Sequence, residues 1–143
     1  MLQLEYSGKL TVMPHIVDAP RPMAHAIASF DGVEDVYYSA LDFWVQADYL
    51  RQWSQAIQRM RGRPPVVVIV KSLHPIHTAG FCEAYVGWKR NAKYLFQDRI
   101  LDVPASFERT PDSPWHELAG EYSAVSSDGD PIIDQWSVNA EDE

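Results

Sequence analysis

The chain has 143 residues, of which 46% are hydrophobic, and its formal net charge is −8. This length folds most simply as one domain over residues 1–143, and the apolar content excludes a disordered protein. The longest apolar run, residues 66–70, is too short for a membrane helix, and a single cysteine, Cys82, forms no intramolecular disulfide. We therefore expect a globular cytoplasmic protein that does not enter a membrane.

Charge is divided unevenly along the sequence. Residues 102–143 hold eleven acids and one base, Arg109, whereas residues 1–101 hold nine acids and eleven bases. The predicted C-terminal tail, about residues 138–143, ends in three acids that favour solubility. The rest of this acidic third predicts a face that steers a basic partner. It disfavours direct nucleic-acid binding, because phosphate affinity comes from Lys and Arg.

The first forty residues predict strands. Apolar and polar side chains alternate, or strand-forming residues cluster, in four stretches: residues 2–6, 10–17, 24–30 and 36–41. Asp31-Gly32 is a turn signal between the last two stretches, as expected for a β-hairpin.

One helix is predicted next. Asp48 is the expected N-cap, and Gly62 followed by Pro64-Pro65 ends the helix. Spacings of three and four place one set of apolar side chains on a common face: Leu50, Trp53, Ile57 and Met60.

The stretch 42–53 holds four aromatic residues and two carboxylates, so it suggests either a ligand site or a buried corner. Phe43 and Trp44 are expected to close a strand, and Trp53 to begin the core face of the helix. Large aromatic residues at such spacing are usually core. We interpret Asp42 as a solvent contact and Asp48 as a cap, not as catalytic acids.

Four further strands and a second helix are predicted. Residues 66–70 indicate a strand buried on both faces and hence central in its sheet. Residues 81–88 and 94–101 form a predicted hairpin, with Asn91 in a left-handed turn position. Ser113 and Pro114 begin a short helix that extends to about Glu121. A polar loop and a last strand, residues 132–136, follow.

This order of elements predicts an α+β domain with a curved antiparallel sheet, one main helix and a short second helix.

Candidate catalytic and metal-binding groups are few. His74, His77 and Cys82 form the single cluster of possible metal ligands, without the second ligand pair that zinc sites show. Cys82 in an apolar strand predicts inert packing. No nucleophile elbow, phosphate-binding glycine loop or metalloprotease motif occurs. We therefore predict no catalytic residue, metal or cofactor.

Two basic groups are assigned structural roles. Arg59, Arg61 and Arg63 complement the dipole at the helix C-terminus. Lys89, Arg90 and Lys93 lie at the exposed tip of the predicted hairpin.

Ordered landmarks over residues 36–137 give the chain a resemblance to a known family. They are Trp44, Asp48-Tyr49 and Trp53; Val70-Lys71-Ser72 with Pro75; residues 85–88 and 93–98 around a polar turn; and Ile133 and Trp136 after Asp128-Gly129-Asp130. In this order they resemble the CdiI-type immunity proteins of bacterial contact-dependent growth inhibition. Tyr85 and Asp98 depart from the pattern, which has Trp and Asn there.

The resemblance implies a Whirly-like fold in which the curved sheet is a partly closed barrel. It also implies a non-enzymatic protein that neutralises the C-terminal toxin domain of a cognate effector. Many such toxins are nucleases with basic surfaces, which an acidic protein can occupy as a nucleic-acid mimic. We expect the chain to be a monomer or weak dimer.

The predicted partner-binding residues are all acidic: Asp128, Asp130, Asp134, Asp98, Asp102 and Glu121. The alternative interface is the hairpin over residues 81–101.

Two other function classes stay open. A single-stranded nucleic-acid binder of Whirly-like fold needs stacking aromatic residues on a basic groove, which the charge balance opposes. A small-ligand domain or enzyme would use a pocket inside the sheet, where Tyr37, Tyr85 and Trp88 stack a ligand.

Overall fold

The computed structural model describes residues 1–13, 21–74, 80–125, 129 and 134–140. The strands are β1 (Leu2–Met13), β2 (Arg21–Phe30), β3 (Val33–Ala40), β4 (Val66–Leu73), β5 (Phe81–Arg90), β6 (Lys93–Asp102) and β7 (Gln135–Asn139). The helix α1 spans Gln46–Met60, and a 3₁₀ turn spans Trp115–Leu118. Across the described residues, no helix has the length and apolar character needed to span a membrane.

The strands form two antiparallel sheets, ordered β1-β2-β3 and β4-β5-β6-β7. The predicted α+β class with one main helix is confirmed. Over the described part of the chain the two sheets are not closed into a barrel, so the partly closed, Whirly-like barrel stays a prediction.

The first sheet follows the predicted strands closely. Asp31 and Gly32 have φ angles of +49° and +91°, as the turn signal requires. The separate strands predicted at residues 2–6 and 10–17 form one strand, β1, whose register against β2 shifts between Tyr6 and Leu10. Gly8 lies in this irregularity with φ +85°. Residues 14–17 lie outside the described residues.

The start and face of α1 differ from the prediction. Its N-cap is Val45, whose N–H donates to the Asp48 carboxylate at 3.0 Å, so Asp48 supports the first turn from within the helix. Leu50, predicted in the core, is 45% exposed. The buried face instead includes Tyr49 and Gln52, because their polar groups bond to a neighbouring strand.

The end of α1 lies at Met60, as predicted. The residue with a left-handed backbone is Arg63, with φ +54°, whereas Gly62 was the expected terminator. The Arg63 N–H donates to the Met60 carbonyl at 2.9 Å and closes the turn.

The edge of β4 is covered by side chains of α1. The Gln52 amide donates to the Val68 carbonyl and accepts from the Val70 N–H, both at 2.9 Å, as a neighbouring strand would. The Trp53 indole donates to the Val70 carbonyl at 2.7 Å. The prediction of a central strand was wrong: β4 is the first strand of its sheet, and it is buried because the helix satisfies and covers its edge.

The core lies between the two sheets. The Phe30 ring is 5.1 Å from Tyr85, 5.4 Å from Phe96 and 4.9 Å from Trp136. Trp44 and Trp53 are 3% and 2% exposed, which confirms that the aromatic stretch 42–53 is architecture. The preceding strand ends at Ala40, however, before Phe43 and Trp44.

Residues 103–125 cover the other face of the second sheet. The Trp88 indole donates to the Gly120 carbonyl at 3.0 Å, and the Gln97 amide donates to the Ser123 carbonyl at 2.8 Å. The helix predicted from Ser113 to Glu121 is only the four-residue 3₁₀ turn. The Ala119 backbone is extended, with ψ 135°, so it ends the turn and leads the chain to the positions where the Gly120 and Ser123 carbonyls meet the sheet.

The last strand, β7, begins at Gln135 and pairs with β6. Residues 132–133 of the predicted strand lie outside the described residues. Val138 and Asn139, which the predicted tail included, belong to β7, and Val138 is buried.

Candidate partner-binding surface

The predicted acidic residues do not form one cluster. Asp98 and Asp102 lie at alternate positions of β6, so their side chains share one face of the second sheet. Asp134 precedes Gln135, which pairs with Gln97, and therefore lies beside Asp98. Glu121 belongs to the segment on the opposite face of the sheet. Asp128 and Asp130 lie outside the described residues.

Asp98 and Asp102 lie on the inner face of the hairpin, which is the face toward the first sheet. They lie at the end of the hairpin away from its turn. In register, Asp102 lies opposite Phe81, Ile100 opposite Glu83, and Asp98 opposite Tyr85. Phe81 is 41% exposed and Ile100 is 69% exposed, beyond the part that the first sheet covers. We call Phe81, Glu83, Asp98, Ile100 and Asp102 the hairpin-end surface.

Lys71 fixes one edge of this surface. The register between β4 and β5 shifts between Val70 and Ser72, and the Lys71 side chain reaches the inner face. Its ammonium lies 3.0 Å from the Asp98 carboxylate and 4.4 Å from the centre of the Tyr85 ring. The Lys71 side chain is 7% exposed and that of Asp98 is 43% exposed, so Asp98 retains access to a second cation.

Tyr85, which contacts Lys71, links the edge of this surface to the first sheet by a hydrogen bond. Its hydroxyl donates to the Asp35 carboxylate at 2.5 Å. Burial, together with the Asp35 carboxylate, raises the pKa of Tyr85 well above its usual value. The hydroxyl therefore stays protonated and acts as a fixed donor between the sheets.

Sequence reasoning missed Phe81, Glu83 and Ile100 as individual site residues. The signal was present in the hairpin itself, because Phe81 and Glu83 are two residues apart on one strand and Ile100 and Asp102 on the next. A predicted register would have placed all four on one face.

The opposite end of the hairpin is basic. Its turn lies against the end of α1, since the Lys89 N–H donates to the Pro65 carbonyl at 2.9 Å and the Tyr94 hydroxyl donates to the Pro64 carbonyl at 2.7 Å. This contact assembles six cations, which we call the basic end: Arg59, Arg61, Arg63, Lys89, Arg90 and Lys93.

Some acids of the C-terminal third serve the fold. The Asp112 carboxylate accepts hydrogen bonds from Arg51 at 2.9 and 3.0 Å and from Gln55, and so attaches the covering segment to α1. The Arg51 guanidinium, helped by Gln55, lowers the pKa of Asp112 below its usual value. Arg109, the base of this third, donates to the His74 carbonyl at 2.8 Å.

Four of the side chains considered for catalysis or ligand binding are buried: Cys82, Tyr37, Tyr85 and Trp88. Cys82 is fully buried, and burial raises the pKa of its thiol to about 12, as inert packing requires. Tyr37, Tyr85 and Trp88 are at most 7% exposed, so they do not offer stacking faces to a ligand. No group of three or more metal-ligating side chains occurs in the described part of the chain, and His77 lies outside that part.

Comparison with known families identifies the chain. The sequence model of the family called CdiI N-terminal domain matches residues 39–142, most of the sequence, so the chain belongs to this family. The resemblance to CdiI-type immunity proteins is thereby confirmed. A comparison with curated proteins gave no match.

A solved structure has the same fold. The chain is similar to a chain of the CdiA-CT/CdiI toxin and immunity complex from Enterobacter cloacae, with a TM-score of 0.79 and 13% sequence identity. The match covers 99% of this chain and 92% of the other.

Proposed function

We propose that this chain is a cytoplasmic immunity protein that binds and neutralises the C-terminal toxin domain of a cognate contact-dependent growth inhibition effector. Its membership of the CdiI N-terminal domain family carries the proposal. The shared fold with a chain of a toxin and immunity complex supports it. The protein acts by stoichiometric binding as a monomer or weak dimer, without a catalytic step or cofactor.

The toxin, in this proposal, is a nuclease with a basic substrate-binding surface. The support comes from charge, because residues 102–143 carry a net charge of −10 and the rest of the chain carries +2. An acidic protein surface competes with phosphates for the Lys and Arg side chains of a nuclease. Neutralisation would follow from occupation of that surface.

Acidic side chains contribute to this binding. We retain the six acids predicted from the sequence as candidates: Asp98, Asp102, Glu121, Asp128, Asp130 and Asp134. Of these, Asp98 and Asp102 have the strongest support, because they share one exposed sheet face with Glu83.

The test is co-expression with the toxin domain encoded by the open reading frame immediately upstream. We expect the two proteins to co-purify at a fixed stoichiometry and the chain to restore growth of cells that express the toxin. A toxin domain from an unrelated effector is the control and should not be retained. Retention of neither toxin, with growth still inhibited, would reject the proposed function.

The nuclease assignment has its own test. Purified toxin should degrade RNA or DNA, and one equivalent of the chain should abolish the cleavage. A toxin that kills cells without cutting nucleic acid would remove the nuclease assignment and leave the immunity function standing.

A further inference from the structure

Two large apolar side chains are exposed side by side at the hairpin-end surface. Phe81 lies opposite Asp102 and Ile100 opposite Glu83, so Phe81 and Ile100 are diagonal neighbours on adjacent strands. Such neighbours are within reach of each other, at roughly 7–8 Å between backbones. Exposed apolar side chains that adjoin one another and are rimmed by polar residues mark interaction surfaces.

Carboxylates surround this apolar pair. Glu83, Asp98 and Asp102 share its sheet face, and Asp134 directly precedes β7, whose first residue, Gln135, pairs with Gln97 next to Asp98. Among the residues that the structure describes, Lys71 is the cation paired with this group, through Asp98 at 3.0 Å. An apolar centre with a charged rim is the usual anatomy of a protein interface, and here the rim is negative.

The surface is held in position before any partner binds. The two strands pair in register along their whole length, from Arg90 and Lys93 at the turn to Phe81 and Asp102 at the open end. The Lys71 ammonium holds Asp98, and the Tyr85–Asp35 hydrogen bond anchors the neighbouring position to the first sheet. Side chains that are already ordered lose less conformational entropy on binding.

The basic end should help to orient a positively charged partner as it approaches. It lies at the turn of the same hairpin, about 30 Å away at 3.3 Å per residue. A positively charged partner is repelled there and attracted to the hairpin-end surface, so the field of the protein aligns the partner before contact.

We infer that the toxin docks on the hairpin-end surface, with Phe81 and Ile100 as the buried centre of the contact and Glu83, Asp98 and Asp102 as its charged rim. The inference rests on the proposed function and names the surface that carries it out. The matching toxin surface has an apolar side chain flanked by Lys or Arg residues.

The experiment compares two exposed apolar pairs on different sheets. Phe81→Ala/Ile100→Ala changes the hairpin-end surface, and Val36→Ala/Tyr38→Ala changes the outer face of β3, where Val36 is 58% and Tyr38 40% exposed. The toxin domain is titrated with each variant by calorimetry. We expect the first pair to weaken binding by about 30-fold or more, and the control pair by no more than about threefold.

A second comparison tests the rim. Glu83→Lys/Asp102→Lys should slow association with the toxin by on the order of tenfold at low salt, whereas Glu34→Lys/Glu117→Lys, the same charge change elsewhere, should have a small effect. Wild-type protein gives an independent readout in hydroxyl-radical footprinting. Phe81 and Ile100 should lose reactivity in the complex, while Val36 and Tyr38 keep theirs.

The outcomes separate the two proposals. If wild-type protein does not bind the toxin, the proposed function fails. If it binds and the hairpin-end variants match their controls, or the footprint lies elsewhere, the docking inference alone fails. If the hairpin-end variants abolish self-association of the chain but not toxin binding, the occupant of this surface is a second copy and the inference is overturned.

Discussion

The two ends of the β5–β6 hairpin are built from the same paired strands and have opposite surfaces. At the turn, Lys89, Arg90 and Lys93 adjoin the cations at the end of α1, and the apolar side chains there are buried. At the open end, Glu83 and Asp102 surround two exposed apolar side chains. The basic end is bonded to Pro64 and Pro65, just after α1, whereas the hairpin-end surface extends beyond the part that the first sheet covers.

This difference shows that the net charge of a sequence segment does not give the charge of the surface that its residues form. Residues 102–143 carry most of the negative charge, but Asp112 binds Arg51 and Glu121 lies on the far face of the sheet. Glu83 belongs to the part of the sequence with a net charge of +2 and yet shares the acidic surface. Charged residues reinforce one another's field where the fold places them on one surface.

The largest expected effect comes from removing a core contact between α1 and β4, the strand that pairs with the hairpin. Trp53→Ala should lower the free energy of unfolding by about 3–5 kcal/mol, because it leaves a cavity and an unpaired Val70 carbonyl. Leu50→Ala on the same helix is the control and should change it by less than about 1 kcal/mol, since Leu50 is 45% exposed. Denaturant unfolding measures both. A Trp53 variant of unchanged stability that loses only toxin binding would assign Trp53 to the interface.

Salt should slow association with the toxin, because it screens the attraction between the acidic side chains and a basic partner. Between about 0.05 and 0.5 M salt the Debye length shrinks to a few Å, and toxin association should slow by on the order of tenfold. The triple variant Asp128→Asn/Asp130→Asn/Asp134→Asn should reduce affinity and leave the unfolding midpoint unchanged. Stopped-flow mixing measures the rates. An association rate indifferent to salt, with unchanged affinity in the triple variant, would show that these acids do not steer the toxin.

The basic end contains backbone strain that glycine should relieve. Arg63 has φ +54°, so Arg63→Gly should stabilise the protein by about 1 kcal/mol. Arg61→Gly removes the same charge at a right-handed position, φ −61°, and should destabilise it by about 0.5–1 kcal/mol. Denaturation midpoints compare the two. Equal shifts for both variants would mean that charge, not backbone conformation, determines the effect.

The smallest effect is expected from reversing the basic end. Arg61→Glu/Lys93→Glu should change toxin affinity by less than about threefold, with a slightly faster association because repulsion of a basic partner is removed. Surface plasmon resonance measures both rates. A large loss of affinity would place the basic end in the interface, and the two ends of the hairpin would then not differ in function.

Local patterns determined much of the fold. Asp31-Gly32 and Asn91 specified two turns, because few residues adopt positive φ readily, and both positions have it. Alternation gave the strands of the first sheet and the hairpin. Aromatic residues at helical spacing gave the buried corner at Trp44 and Trp53. Each of these features depends on residues close in sequence.

Only the tertiary structure decided the place of β4 and the site. The run of residues 66–70 is apolar whether the strand has strands on both edges or a helix on one, so its sequence does not distinguish a central strand from an edge capped by Gln52 and Trp53. The acidic candidates were counted along the chain, but their grouping depends on strand register, which pairs Glu83 with Ile100. Register is a contact between distant residues, and a single sequence records it weakly.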